Sequence, residues 1–102
     1  MNADTAAIAL AIATNAKDCI LLSDVDGVKD ENGKIINNLT PDYAEELIMK
    51  KIIVEGMIPK VENAIIAAKS GVKCHIANSE RKSIISDIFN NNAIETIIST
   101  TN

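Results

Sequence analysis

Cys19-Ile20-Leu21-Leu22 is a continuous apolar run that stops abruptly at Ser23-Asp24. A run this short with no polar side reads as a strand buried on both faces. It suits a central parallel strand whose carboxyl end carries polar groups. Aromatic residues make up only 2% of the chain, so the core around that strand must be built from Ile, Leu, Val and Ala. Such a composition favours a parallel sheet covered by helices.

The rest of the chain punctuates itself in the same sense. Asn2 or Asp4 can cap a helix running to about Asn15, and its segment Ala6–Ala13 is apolar all round, which predicts burial on several sides. Asp26-Gly27 turns the chain after the strand, and Asn32-Gly33 suits a tight hairpin before Lys34-Ile35-Ile36. Thr40 caps and Pro41 opens the next helix, with Ala44, Leu47 and Ile48 as its apolar stripe. After Gly56 a further helix carries Met57, Ile58, Val61, Ala64, Ile65 and Ala68 at helical spacing, and Gly71 is its left-handed terminator. Val72–Ala77 reads as a strand. Ser79 is a candidate cap for a helix with the stripe Ile84, Ile85, Ile88 and Phe89, and Ala93–Ser99 reads as a last strand. Strands alternating with helices imply a layered α/β domain. At 102 residues the chain is expected to form a single domain, residues 1–102.

Charge and cysteine content narrow the function. The net charge of −4 argues against a general nucleic-acid binder, while leaving room for a pocket that needs one or two local cations. Cys19 and Cys74 both fall inside apolar runs and read as buried thiols of a reducing compartment. With one histidine, His75, the chain lacks ligands at zinc spacing, so no metal site is expected and His75 is read as structural. The Ala6–Ala13 run is too short to span a bilayer and has no basic flank before it, so a cytoplasmic protein without membrane contact is expected. Glu45, Glu46, Glu62 and Asp87 read as solvated helix faces.

Three segments carry candidate chemistry. In Gly56-Met57-Ile58-Pro59-Lys60-Val61, a proline suits a first helical turn and Lys60 adds a full charge beside the unpaired N–H groups of that turn, a setting that holds phosphate. Gly-x4-Gly-Lys-Ser/Thr is absent, so this is not a Walker A loop. In Ser23-Asp24-Val25-Asp26-Gly27-Val28, hydroxyl, carboxylate and free backbone groups gather at a strand's carboxyl end, where open α/β sheets bind ligands. An ordinary strand-to-hairpin turn is the bland alternative. Asp4 is a helix cap on its residues alone; Asn-Ala-Asp-Thr-Ala-Ala at positions 2–7 gains meaning only beside the other two segments.

Together the three segments resemble the carboxyl-terminal, nucleotide-binding part of the amino acid kinase family, nearest its acetylglutamate kinase branch. Gly-Met-Ile-Pro-Lys-Val at 56–61 is the more selective match, and Leu-Leu-Ser-Asp-Val-Asp-Gly-Val at 21–28 the more widely shared. The resemblance implies a three-layer α/β/α sandwich with a mainly parallel sheet. It implies transfer of the ATP γ-phosphate, with Mg²⁺ accompanying the nucleotide, to the side-chain carboxylate of N-acetyl-L-glutamate in arginine synthesis. Lys60 would stabilise the transferring phosphoryl group and Asp4 would orient the catalytic lysines. Asn2 would lie near the acceptor. Ser23, Asp24, Val25, Asp26, Gly27, Val28, Ile52, Ile53, Val54, Gly56 and Met57 would line the nucleotide. His75-Ile76 is followed by Ala77-Asn78-Ser79-Glu80-Arg81, a stretch similar to glutamate 5-kinase and other relatives, which leaves another acceptor open. The family's amino-terminal half, with its glycine-rich loop, second lysine and acceptor-gripping arginine, has no counterpart in these residues. The chain alone is therefore expected to be inactive, and to self-associate or pair with such a half. A non-catalytic nucleotide-binding module is the alternative.

Overall fold

The computed structural model describes residues 3–100. Helix α1 spans Ala3–Ala13 and leads to strand β1, Asp18–Ser23; strand β2, Asn38–Leu39, precedes helix α2, Pro41–Met49. A 3₁₀ turn, Glu55–Met57, runs into helix α3, Ile58–Lys69, followed by strand β3, Lys73–Asn78, helix α4, Ile84–Phe89, and strand β4, Glu95–Ile98.

Local chemistry sets most of these boundaries. The Thr40 hydroxyl accepts from the Tyr43 N–H at 3.2 Å, and Pro41 opens α2. Gly71 takes φ +88° after α3, letting Val72 N–H return to the Ala67 carbonyl at 2.9 Å and close the helix. Gly33 takes φ +80° in the turn after Val28, where Asp30 accepts from Asn32 and Lys34 N–H groups. The hairpin that follows has one isolated bridge, Lys29 to Ile35, rather than a ladder.

The strand order is β1-β3-β4-β2. β1 pairs with β3 and β2 with β4 in parallel, while β3 and β4 run antiparallel, so the sheet is mixed and mostly parallel. Alternation divides the faces. Cys19, Leu21, Cys74, Ile76 and Ile98 join the main core with residues of α1, α2 and α3, whereas Ile20 and Ala77 pack against Ile84 and Ile88 of α4. The sheet thus lies between helices on both sides, an α/β/α layering. Burial of side chains such as Leu21, Ile76 and Ile98 contributes about 1.5–3 kcal/mol each.

Four expectations change. The strand Asp18–Ser23 is not central: among the described residues it has β3 as its neighbour on one side and stands at the sheet edge. In α1 Ile8 and Ala11 are the buried residues among those described, and Leu10 is 65% exposed, because α1 packs mainly on β1 and α3 and leaves its other side uncovered. Ser79 does not cap α4; that helix starts after Ser83, with Ile85 and Phe89 of its expected stripe exposed. Ser79 N–H and Oγ instead both donate to the Ser23 carbonyl, at 2.8 and 3.1 Å, extending the β1–β3 ladder past the strand ends. β2 was not expected from sequence, since two residues carry no readable alternation.

Candidate functional site

Lys60 is not a solvated lysine. It lies in the first turn of α3, one residue after Pro59, and its side chain is 16% exposed. Its Nζ donates to the Asp4 carboxylate, in the first turn of α1, and at 2.9 Å to the Leu22 carbonyl near the end of β1. Two helix starts and one strand end therefore meet at a single ammonium. The partial positive charge of a helix start adds to that of the lysine, against one carboxylate. Two donors of the ammonium are engaged among the described residues, leaving a third N–H for another acceptor.

Residues 23–28 continue from that point. Ser23 Oγ accepts from the Val25 N–H at 3.3 Å. Asp26 is held by Arg81, through Nε at 2.6 Å and a second guanidinium nitrogen at 2.9 Å, and by Asn78 at 3.2 Å. The Arg81 hydrogen bonds hold the Asp26 carboxyl below its ordinary value, and Asp26 in return raises Arg81. Deeper in, the Val28 N–H donates to Thr96 Oγ1 at 2.8 Å. Gly27 is required there for space rather than for conformation, because a Cβ would stand 2.5 Å from Thr96 Oγ1.

Beyond this loop opens a cavity of about 270 Å³ walled by Val25, Gly27, Val28, Lys29, Ile52, Ile53, Val54 and Met57. Seven of these eight were named from the sequence; Lys29 was not. Ser23, Asp24, Asp26 and Gly56 are outside its walls, as are Lys60 and Asp4. The loop 23–28 connects the lysine at the strand tip to the apolar cavity. Asn2 lies outside the described residues. A wider, open groove of about 760 Å³ runs between α1, α2 and α3, lined by Ile48, Met49, Pro59 and Ile66 among others; it contains neither Lys60 nor the loop.

Asn78, Arg81 and Thr96 also escaped the sequence reading. Asn78 and Arg81 fall in the stretch where the chain departs from its nearest resemblance, which was the available signal for them. Thr96 had none. His75 is buried on the α4 side of the sheet, with Nδ1 2.7 Å from Glu95 and Nε2 2.8 Å from Asp18, a ladder across three strands away from the Lys60 face. Cys19 and Cys74 are buried free thiols in direct register, and burial pushes both up, which makes them unreactive. Among the described residues, no group of three or more His, Cys, Asp or Glu could hold a metal ion, and no helix is long and apolar enough to cross a membrane.

Comparison with known proteins places this arrangement. A profile described as the amino acid kinase family matches residues 1–78. The acetylglutamate kinase of Aquifex aeolicus (strain VF5) is 45% identical over 100 residues, which cover 96% of this chain and 34% of that protein. Among solved structures, N-acetylglutamate synthase from Neisseria gonorrhoeae superposes with a TM-score of 0.84 at 22% identity, over 95% of this chain and 23% of the other. Carbamate kinase from Giardia lamblia gives 0.79 at 22% identity, over 96% and 30%. These likenesses between structures concern the fold alone. The chain spans about a third of the length of the curated relatives it matches.

Proposed function

The chain belongs to the amino acid kinase family, and we propose that it forms the nucleotide-binding portion of an acetylglutamate kinase. In this reading ATP is the phosphoryl donor, and the acceptor is the side-chain carboxylate of N-acetyl-L-glutamate. The observation that carries it is the ammonium of Lys60, anchored on Asp4 and the Leu22 carbonyl with one donor to spare, next to the loop that walls an apolar cavity. Acetylglutamate kinases similar across nearly the whole chain support the acceptor.

The residues fit the ligand by chemistry. The cavity between Val25, Val28, Ile53 and Met57 has room for a flat heteroaromatic base and offers it mainly apolar wall. Bound ATP supplies the γ-phosphoryl group, with Mg²⁺ accompanying its phosphates. Lys60 then holds positive charge where the transferring group becomes most anionic, and Asp4 and Leu22 fix its direction beforehand, so little reorganisation is needed during transfer. Loop 23–28 sets the spacing between base and phosphates. The apolar edge of β1 and the exposed Leu10 of α1 favour association with further sheet and helix surface, from another copy or from a segment like those that make up the remaining length of the relatives.

Titration calorimetry tests the reading. ATP with Mg²⁺ should bind the chain, and Lys60→Ala should weaken ATP at least about tenfold while changing AMP little, since the lysine is assigned to the outer phosphates. In an enzyme completed by the rest of the family fold, the same substitution should lower turnover on the order of 10²-fold. Equal ATP affinity in wild type and Lys60→Ala would remove Lys60 from the site.

A further inference from the structure

We infer that Thr96, in the last strand of the sheet, is a positioning residue for the ligand cavity. It sets the wall formed by Gly27 and Val28 although it lies 68 residues away in sequence and outside that wall. The inference rests on the reading that this cavity takes the nucleotide base.

Gly27 and Val28 belong to no strand, so the regular ladder does not hold them in place. Val28 is fixed at both of its backbone groups. Its N–H donates to Thr96 Oγ1 at 2.8 Å, and its carbonyl accepts from Ile36 N–H at 2.8 Å across the hairpin. Thr96 is fully buried and sits in register with Ile76, on the same face as the main core, and its hydroxyl oxygen is directed at the Val28 N–H. The absence of a Cβ at Gly27 lets the hydroxyl come this close. The outer side of the loop is tied separately, by Asp26 to Arg81 and Asn78, which are exposed or half-buried. Thr96 is thus the inner of two anchors, and it is the one that touches the residues lining the cavity.

A merely structural threonine could be replaced by the isosteric valine at some cost in stability but without a selective effect on ligand. A positioning threonine cannot. Thr96→Val keeps the volume and strands the Val28 N–H, which must then tilt toward solvent or into the cavity. Thr96→Ser keeps the oxygen.

The test pairs two readouts on the full chain: amide hydrogen exchange at Val28, and binding of AMP and ATP with Mg²⁺ by calorimetry. Expected are a Val28 amide protected in wild type and Thr96→Ser, exchange at least about tenfold faster in Thr96→Val, and AMP affinity about tenfold weaker in Thr96→Val and restored in Thr96→Ser. AMP is the sharper probe because the lysine acts on the outer phosphates. Undiminished AMP binding by folded Thr96→Val, or a Val28 amide as protected there as in wild type, would overturn the inference. Should Thr96→Val fail to fold, Thr96→Ser with wild-type affinity and a wild-type Val28 amide that slows further on adding AMP sustain the inference; loss of affinity in Thr96→Ser overturns it. A wild-type chain that binds neither nucleotide sinks the reading of the cavity and this inference with it, even with Val28 protected. Binding in wild type that survives in Thr96→Val sinks the inference alone.

Discussion

Replacing Gly27 by alanine should be among the most damaging one-carbon changes available in this protein. The backbone of Gly27 needs no left-handed conformation, so alanine is permitted there on its own; the obstacle is Thr96. A Cβ would lie 2.5 Å from Thr96 Oγ1, 3.0 Å from its backbone nitrogen and 3.2 Å from its Cβ. The hydroxyl cannot turn away without releasing the Val28 N–H, and the nitrogen belongs to β4. Overpacking of this kind costs about 1–3 kcal/mol. Losing the buried hydrogen bond instead costs about 1–3 kcal/mol. Whichever route the structure takes, about 2 kcal/mol is expected, which for a domain of this size lowers Tm by roughly 8–16 °C. Urea and thermal unfolding followed by circular dichroism measure it directly. A Thr96→Ala background removes the nearest atom, so Gly27→Ala should cost at least about 1 kcal/mol less there than in wild type. Equal cost in both backgrounds, or Gly27→Ala within about 0.5 kcal/mol of wild type, would refute the close-approach explanation.

Two further outcomes are expected. Lys51 follows α2 with φ +60°, a conformation glycine adopts without penalty, so Lys51→Gly should raise stability by about 0.5–1 kcal/mol in urea unfolding; a loss would show that the lysine side chain contributes more than its backbone costs. Asp26 has its carboxyl held below the ordinary 3.8 by Arg81, so its stabilising contribution is complete above about pH 4 and fades as pH falls through the lowered folded value. The stability gap between wild type and Asp26→Asn should therefore be widest near neutrality and close on acidification, and a gap unchanged down to pH 2 would contradict the pairing.

The features readable from the chain were those decided within a few residues. Thr40-Pro41 announces a helix start because cap and first turn are neighbours, and Gly71 announces a helix end because one residue carries the left-handed turn. The apolar run at 19–22 announces a strand for the same reason, though not its place at the sheet edge, where Leu22 is left exposed. The assignment of Lys60 and Asp4 to one site came from resemblance, since their separation of 56 residues leaves no local trace. Hydrophobic pattern shows that a segment seeks burial, but not how much surface will be found to bury it: α1 is apolar all round yet half bare, and β1 has the composition of a central strand at an edge. Strand direction was equally hidden, because β4 reads the same whether it runs with β3 or against it. Thr96 is the plainest case. Its hydroxyl matters only because an antiparallel pairing carries it beside Gly27, and such proximity is a property of the folded topology, set when segments distant along the chain close on one another.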